Sequence, residues 1–350
     1  MTAENEALWL DSPRAAFRTG PAPMPVPGPG EVVVRVRAVA LNPVDAVPGF
    51  ARRRFVYPWL HYPAVLGTDV AGEVVEVGAG VTLLAVGDRV VGLAAGQERF
   101  RNSAAHGAFQ RFTVLSAEMT TRLPDDVTLT DAVVLPLGVS TAAAGLFQPD
   151  QLGLALPAAA ARDRGETVLV WGGSSSVGSN AVQLARAAGY RVVATASPHN
   201  HDLVRSLGAA EVVDYRDRAV VADVVRSLEG HVLAGTVAIG AGSLSRAVAI
   251  ARRVDGTGRV ASAYPTPATA ARRLVVRPLG VHVSAIWGGT PAQNVVGPAV
   301  FTQFLPAALA EGRYRPAPPA VVVGDGLAAV PAGLERLRAG VSARKLVVTV

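Results

Sequence analysis

The chain has 350 residues, of which half are hydrophobic and 17% are charged, so it can bury extensive cores and is expected to form two domains. Its formal charge of +6 is spread along the chain and does not call for a nucleic-acid partner. The absence of cysteine excludes disulfides and thiolate nucleophiles, and no segment resembles a membrane span or a secretory signal, so we expect a cytoplasmic protein without a membrane partner.

The first 120 or so residues have the pattern of short β-strands. Glu31–Ala40 alternates, with arginines on one face, and the turn sequence Asn42-Pro43-Val44-Asp45 ends it. The run Arg52-Arg53-Arg54 opens a basic, aromatic segment and fits either a phosphate-binding patch or a solvated loop. Glycine-punctuated, β-branched stretches follow at 63–78, 87–92 and 107–114. These features predict a mainly β domain.

After an alanine-rich helical segment at 124–145, strand-like runs alternate with helix-like segments. Val168–Trp171 predicts a buried strand, and residues 179–189 have helical spacing. Further strands are predicted at 191–196, 211–213, 235–239, 258–262 and 281–287, with helices at 202–207 and 295–312 and a last strand at 343–350. This alternation predicts a parallel sheet of the Rossmann, doubly wound kind.

The turn after the first of these strands is the candidate cofactor site. It reads Gly172-Gly173-Ser174-Ser175-Ser176-Val177-Gly178, so that, aligned on Gly178, the middle glycine of the usual G-x-G-x-x-G is Ser175. The backbone of such a turn and the following helix N-terminus bind a pyrophosphate. We therefore predict cofactor contacts from Gly173, Ser174, Ser175, Ser176 and Val177, with the serine hydroxyls as additional donors to the phosphates.

The end of the second strand indicates which nicotinamide cofactor is bound. Domains that prefer NAD have a carboxylate there, which accepts from the ribose 2′-hydroxyl. Here the strand ends in Ala196-Ser197 and the first carboxylate is Asp202. Ser197 and His199 are suited to a 2′-phosphate instead, so the sequence predicts NADPH.

Motifs along nearly the whole chain resemble those of the medium-chain dehydrogenase/reductase superfamily. They are Asn42-Pro43-Val44-Asp45, Leu66–Gly72, Gly87-Asp88-Arg89-Val90, Gly107 with Phe109, Leu135-Pro136-Leu137 and the glycine-serine turn. The resemblance implies an α/β fold with a GroES-like β-rich catalytic domain (1–138 and 294–350), a Rossmann domain (139–293) and the nicotinamide in the cleft between them. It also implies a contact of Tyr215 with the 2′-phosphate. The other cofactor contacts that it implies are Asn42, Ser140, Thr141, Gly240, Ile286 and Trp287.

Within that superfamily, zinc alcohol dehydrogenases have Gly-His-Glu where this chain has Gly67-Thr68-Asp69, and they use cysteines that it lacks. We therefore expect no metal, and the chain resembles the zinc-free branch of quinone oxidoreductases and enoyl reductases. The glycine-serine turn and Ser197-Pro198-His199-Asn200 are most similar to stand-alone enoyl reductases that serve polyketide synthases in trans. Members of that group often have a lysine where this chain has Ala46 or Val47, so a role for such a lysine is absent.

Without a metal, a cysteine or a lysine acid, the chemistry that remains for this chain is hydride delivery to an electron-poor carbon. In conjugate reduction, hydride goes to the β-carbon, charge builds on the carbonyl oxygen and solvent protonates the α-carbon, so hydrogen-bond donors matter most. We expect Thr141, with Ser140, to orient the nicotinamide, and Tyr57, Tyr62 and His61 either to donate to the substrate or to pack at the surface. Asn42 and Asp45 alternatively hold that loop in place.

The predicted function is the NADPH-dependent reduction of an activated C=C bond in a small-molecule enone or polyene of polyketide type, free or carried by a synthase. Three alternatives remain open at this point: a reductive cyclase of polycyclic macrolactam biosynthesis that uses the same hydride addition, a quinone oxidoreductase, and a non-catalytic NADPH-binding sensor. The chain is expected to be a monomer or a homodimer formed through the strand at 281–286.

Overall fold

The computed structural model describes residues 4–263, 269 and 274–350. The chain folds into two compact units, of which unit 1 comprises Met1–Leu137 and Phe301–Val350 and unit 2 comprises Gly138–Val300. The sequence predicted domain limits after residues 138 and 293, whereas the units meet along the chain after residues 137 and 300.

The regular elements are numbered here in chain order. The strands are β1 (Asn5–Leu10), β2 (Phe17–Ala22), β3 (Glu31–Ala40), β4 (Ala64–Val65), β5 (Asp69–Val77), β6 (Arg89–Leu93), β7 (Phe112–Ser116), β8 (Thr120–Arg122), β9 (Glu166–Trp171), β10 (Arg191–Ala196), β11 (Glu211–Asp214), β12 (Val232–Ala238), β13 (Arg259–Ser262), β14 (His282–Ala285), β15 (Ala320–Asp325) and β16 (Lys345–Thr349). The α-helices are α1 (Gly49–Ala51), α2 (Leu129–Ala132), α3 (Pro136–Phe147), α4 (Ser176–Ala187), α5 (His201–Ser206), α6 (Val220–Ser227), α7 (Ser243–Ala251), α8 (Val296–Pro298), α9 (Leu305–Ala310) and α10 (Val330–Arg338). Short π-helical or 3₁₀ turns lie at Arg52–Val56, Ala104–His106, Ala117–Met119, Pro198–Asn200, Arg277–Leu279, Thr290–Gln293, Ala299–Phe304 and Leu327–Ala329.

Unit 1 is mainly β, as the sequence predicted. One sheet has the order β15-β16-β3-β5-β6-β8, with β7 also paired to β3, and a smaller sheet has the order β2-β1-β4. β3 is the central strand, and its predicted alternation is present: Val34 and Val36 are buried, whereas Arg35 and Arg37 are exposed. The C-terminal strand β16 pairs antiparallel to β3, so the end of the chain completes the sheet begun near its start.

Unit 2 contains the predicted doubly wound parallel sheet. Its six strands have the order β11-β10-β9-β12-β13-β14, and all five pairings are parallel. The apolar side chains of β9 and β10 pack with α6 and α7 in one core cluster; its buried members are Leu169, Trp171, Val193, Val220, Val224, Leu228, Leu233 and Ile250. The strand that was predicted for dimerisation, β14, lies at one edge of this sheet, and the oligomeric state stays a prediction.

Both of the long apolar stretches predicted to be helical, 124–145 and 295–312, contain helices. The helix predicted at 295–312 is present at Val296–Ala310, and its middle, Ala299–Phe304, has π-helical hydrogen bonds between α8 and α9. Pro306 has no backbone N–H to continue the α-helical hydrogen bonds, which explains a change of helix type before α9. The stretch Leu129–Phe147, which includes α2 and α3, is long and apolar enough to cross a membrane, but 72% of its most apolar window is buried inside the protein, as in a core helix.

Candidate cofactor and substrate site

The predicted glycine turn leads from β9 into α4 at the place where the strand order reverses. β9 and β12 are neighbours in the sheet although they are not consecutive in sequence, and the connections from them lead to opposite sides. In open α/β sheets, ligands bind beyond the carboxyl ends of the strands at such a point. Gly240, which has a left-handed φ of +89°, follows β12 at this edge, and Ile239 N donates to Trp171 O at 3.1 Å. The structure therefore brings Gly240 close to the glycine turn, and its contact with a cofactor stays a prediction.

Two glycines permit the close approach of α4 to the turn. Gly172 has a left-handed φ of +89°. A Cβ on Gly178 would lie 2.1 Å from Gly172 O, which no side chain allows. Gly178 thus has the role of the third glycine in dinucleotide-binding turns, which is close packing of helix and strand. The free N–H groups at the start of α4 remain suited to a pyrophosphate.

Ser175 has a structural role that the sequence analysis did not assign. It is the N-cap of α4: its Oγ accepts from Gly178 N at 3.0 Å and donates to Gly172 O at 2.8 Å. Its hydroxyl hydrogen is therefore used inside the turn, so the predicted additional donor to a phosphate is not available from Ser175. Ser176 Oγ is buried without a partner among the described residues, and Ser174 Oγ accepts from Asn200 Nδ2 at 3.4 Å.

At the end of β10 the structure brings together two of the residues that were predicted to contact a 2′-phosphate. Ser197 Oγ and Tyr215 Oη lie 3.2 Å apart, so two hydroxyl groups from different strand ends face each other. The register pairs Ala196 with Asp214, whose carboxylate is bonded by the N–H and by the Nε of Arg216 at 3.0 and 3.3 Å. Burial alone would raise the pKa of Asp214, but these bonds hold it below its usual value.

Arg216 is a residue that the sequence analysis missed. Arginine beside the end of the second strand is a common partner of a 2′-phosphate. Arg216 is far from Ser197 in the sequence, so the sequence alone did not connect the two residues. The parallel pairing of β10 with β11 brings Arg216 close to Ser197. His199, in contrast, lies in the 3₁₀ turn that follows Ser197, where the prediction placed it.

The residues predicted to meet the nicotinamide lie on α3 and on the segment after β14. Ser140 is fully buried and its Oγ donates to Gly288 O at 2.6 Å, which ties α3 to that segment. Ile286 N donates to Ser262 O at 2.8 Å, and Thr290 Oγ1 donates to Trp287 O at 2.8 Å. Ser140 therefore acts inside unit 2 by fixing the segment that carries Ile286 and Trp287. The half-buried Thr141, one residue further along α3, has no hydrogen-bond partner for its hydroxyl among the described residues.

In unit 1, four polar side chains form a buried network at the end of β3. The register of the sheet explains it: Ala40 lies opposite Asp69 of β5 on one side and opposite Val347 of β16 on the other. Asn42, two residues after Ala40, is thereby brought to Asp69 and to Lys345, two residues before Val347. Asn42 Nδ2 donates to Asp69 Oδ2 at 2.8 Å and to the hydroxyl oxygen of Thr68 at 3.0 Å.

Lys345 completes this network with a buried ion pair. Its Nζ lies 2.9 Å from Asp69 Oδ2 and also donates to Asn42 Oδ1. The other oxygen of Asp69 accepts from Leu137 N at 2.7 Å. The side-chain amide of Asn42 is thus committed inside unit 1, which supports the loop-holding alternative and leaves the predicted contact between Asn42 and the cofactor without support from the geometry.

Asp45 and Arg52 extend the network toward the loop that carries the candidate tyrosines. Asp45 is fully buried, and one carboxyl oxygen accepts from Asn42 N at 2.9 Å while the other has no partner among the described residues. Burial raises the pKa of Asp45 to about 7. Of the three arginines predicted to form a patch or a solvated loop, Arg53 and Arg54 are exposed, but Arg52 is buried and donates to Val47 O at 2.9 Å.

The candidate catalytic tyrosines differ in environment. Tyr57 is 3% exposed and packs edge-to-face on Trp59, with ring centroids 6.0 Å apart. Burial, with the charges of Glu98 and Asp45 nearby, raises the pKa of the Tyr57 hydroxyl well above its usual range, so this group stays protonated. Tyr62 Oη is buried without a partner in the described part of the chain, whereas His61 is exposed.

A buried glutamine beside this loop was also missed. Gln97 is 2% exposed, and neither its amide nitrogen nor its amide oxygen has a partner among the described residues. The backbone of Gln97 is tied to the tyrosine loop because Trp59 Nε1 donates to its carbonyl oxygen at 3.0 Å. A lone glutamine in a loop gives no sequence signal, since only the fold shows that its amide is buried.

The donor set of unit 1 does not fit a zinc ion. Thr68 and Asp69 occupy the positions of the Gly-His-Glu motif, and both side chains are bonded to Asn42. Among the residues that the structure describes, no group of three or more His, Cys, Asp or Glu side chains could hold a metal ion.

Comparisons with known proteins agree with this architecture. Residues 28–125 match the family described as alcohol dehydrogenase GroES-like domain, and residues 176–299 match the zinc-binding dehydrogenase family. The chain belongs to the medium-chain dehydrogenase/reductase superfamily. Its fold class and the predicted family are thereby confirmed, and a nicotinamide cofactor is implied for this oxidoreductase.

The relatives of this medium-chain dehydrogenase/reductase include proteins from fungi, among them one that is named a trans-enoyl reductase. Dehydrogenase pigH of Monascus ruber is 43% identical, with 99% of each chain covered. Trans-enoyl reductase himH of Aspergillus japonicus is 37% identical, over 99% of this chain and 97% of that protein. An alcohol dehydrogenase superfamily protein from Novosphingobium aromaticivorans has a similar structure, with a TM-score of 0.76, 26% identity and 99% of each chain covered.

Proposed function

We propose that this chain is an NADPH-dependent, zinc-independent reductase that delivers hydride to the β-carbon of an activated C=C bond in an enone or polyene. The observation that carries the cofactor choice is the end of β10. There Ser197 Oγ and Tyr215 Oη face each other at 3.2 Å, and the carboxylate of the neighbouring strand is already bonded by Arg216. This arrangement suits a 2′-phosphate better than a ribose hydroxyl that needs a free carboxylate.

The choice of reaction rests on the donors that the chain offers. Conjugate reduction requires hydrogen-bond donors for the oxygen on which charge develops and no strong acid at the β-carbon. Tyr57 keeps its hydroxyl hydrogen because its pKa is raised by burial, and Tyr62 Oη has no partner among the described residues. The similarity to trans-enoyl reductase himH supports the same class of reaction.

In this mechanism the residues bind, orient and donate. When bound, the reduced nicotinamide supplies the hydride. Ser140 holds the segment of Ile286 and Trp287 through Gly288 O. Thr141, the next residue of α3, orients the nicotinamide amide. Tyr57 and Tyr62 donate to the substrate oxygen, and solvent protonates the α-carbon.

A panel of acceptors tests the reaction. NADPH oxidation is measured with an enone, a polyene ester, a simple quinone and a saturated aldehyde, and reduction with NADPH deuterated at the transferable position should leave one deuterium on the β-carbon of the enone. A ring in the product of a polyene would identify the reductive cyclase variant. Fast turnover of the quinone alone would favour a quinone oxidoreductase, and tight NADPH binding without turnover of any acceptor would favour a sensor.

A pair of hydroxyl-deletion variants tests the cofactor choice. Ser197→Ala combined with Tyr215→Phe should raise the KM for NADPH by roughly tenfold, the equivalent of about 1.4 kcal/mol of lost hydrogen bonding, and leave the KM for NADH unchanged. Tyr190→Phe is the matched control, because Tyr190 Oη accepts from Ala155 N elsewhere in unit 2. Equal catalytic efficiency of the wild type with both cofactors would contradict the proposal.

A further inference from the structure

We propose that unit 1 contains a second binding site, for an organic carboxylate with a short apolar chain. The site is a cavity of about 420 Å³ formed by three segments of unit 1: the loop between β1 and β2, residues 47–52 around α1, and helix α10. This volume lies in the range of small-molecule sites. The cavity shares no residue with the proposed NADPH contacts or with the candidate tyrosines Tyr57 and Tyr62, although Arg52 begins the segment that carries those tyrosines.

Arg52 is a buried arginine without an ion-pair partner among the described residues. Arg52 lines the cavity and is 4% exposed, yet no carboxylate of the described residues lies within 4.0 Å of its guanidinium. Its Nη2 donates only to the carbonyl oxygens of Asp45 and Val47, at 3.1 and 2.9 Å, and its buried Nε has no partner in the described part of the chain. Because a guanidinium does not deprotonate in proteins, this charge is costly to bury unpaired. An anion in the cavity would supply the missing partner.

Two further arginines make the cavity positive. Arg14, from the loop after β1, and Arg338, at the end of α10, line it together with a single carboxylate, that of Glu335. With Arg52, the lining therefore carries a net formal charge of +2. Arg338 Nε is bonded to Ala46 O at 3.0 Å, which fixes its guanidinium near the cavity. Arginine forks suit the two oxygens of a carboxylate.

The rest of the lining is apolar and selects the body of the ligand. Leu10, Phe17, Val47 and Leu334 provide hydrocarbon surface beside the arginines. A bare inorganic anion would satisfy the charges and leave this surface without a partner, whereas an alcohol would fill the space and leave Arg52 unpaired. A carboxylate on a short hydrocarbon chain satisfies both parts.

Calorimetric titration of the full chain with hexanoate, hexan-1-ol and inorganic phosphate at constant ionic strength tests the proposal. Hexanoate should bind at one site and raise Tm, because only the folded chain binds it. Hexan-1-ol and phosphate should bind at least about tenfold more weakly, since each lacks one half of the recognition. Binding of hexan-1-ol or of phosphate as tight as that of hexanoate would overturn the proposal, as would the absence of hexanoate binding.

Variants locate the binding site. Arg14→Ala should weaken hexanoate binding about 2–5-fold, as expected for an exposed charge at the rim. The matched control is Arg18→Ala, because Arg18 lies in the same segment but pairs with Asp11 outside the cavity. Ala15→Trp fills the cavity while all three arginines remain, so it should abolish binding without removing a charge. Hexanoate binding that is undiminished in Ala15→Trp would place the ligand elsewhere and overturn the proposal.

Discussion

Replacing Lys345 by methionine tests the contribution of the buried network to the stability of unit 1. Lys345 Nζ lies 2.9 Å from Asp69 Oδ2, and the two side chains are 5% and 0% exposed. Two unit charges at this distance attract each other by about 6 kcal/mol at an effective dielectric constant of about 20. Methionine keeps most of the length of the side chain and removes its charge. Asp69 then depends on its bonds from Asn42 Nδ2 and Leu137 N.

We expect Lys345→Met to lower the free energy of unfolding by about 3–5 kcal/mol, because removal of one partner leaves an uncompensated buried charge. The same reasoning predicts that a second change relieves the first. When Asp69→Asn is added to Lys345→Met, no charge remains unpaired, and the double variant should regain about 2 kcal/mol relative to the single one.

The assay is equilibrium unfolding in guanidinium chloride at neutral pH for the wild type, the two single variants and the double variant, analysed as a double-mutant cycle. Arg18→Met is the control: Arg18 Nε lies 2.6 Å from Asp11 Oδ2, but the two side chains are 55% and 44% exposed, so the unfolding midpoint should not change. A wild-type midpoint for Lys345→Met, or a double variant less stable than both single variants, would refute the reasoning.

Three further changes test the glycine turn and the buried carboxyl group. Gly178→Ala would place a Cβ 2.1 Å from Gly172 O. We therefore expect NADPH binding, measured by fluorescence titration, to be roughly tenfold weaker, which corresponds to about 1.4 kcal/mol. An unchanged affinity would contradict the close-packing role of Gly178. Ser175→Ala removes the N-cap of α4 and should lower stability by about 1 kcal/mol in a denaturant titration. Burial raises the pKa of Asp45 from 3.8 to about 7, so its favourable contribution to stability is present at low pH and is lost as pH rises from about 3.8 through about 7. Across that window, wild-type stability should fall by about 4 kcal/mol relative to Asp45→Asn. A difference between the two proteins that does not depend on pH would count against the assignment.

Local patterns were sufficient to predict much of the fold. The predicted strand at Val168–Trp171 lies inside β9, and the predicted strand Glu31–Ala40 is β3. These runs are predictable because each buries one or both faces and so has a marked hydrophobic period. The helix predicted at 295–312 is present at Val296–Ala310, but the π-helical bonding of its middle could not be predicted, since hydrophobic spacing does not show how a proline changes the backbone bonding.

The site was predictable only where its residues follow a strand directly. Ser197 comes at the end of β10, and the glycines follow β9, so their places at the strand ends could be predicted from the chain, while their contacts with a cofactor stay predictions. Lys345, Arg216 and Gln97 could not be found in this way, because strand pairing or loop packing brings them into place across long sequence separations.

The buried network also connects the sheet to the loop that presents the candidate tyrosines. Asn42 contacts Asp69 and Lys345 through its side chain and Asp45 through its backbone N–H. The carbonyl oxygen of Asp45 accepts from the Arg52 side chain. The carbonyl oxygen of Arg52 in turn accepts from Tyr57 N at 2.7 Å. Each step in this series is a hydrogen bond between groups buried in unit 1. Where zinc alcohol dehydrogenases have metal-binding residues, this chain thus has a hydrogen-bonded support for the position of Tyr57. Loss of Lys345 should therefore disturb the backbone that carries Tyr57 before it affects the glycine turn of unit 2.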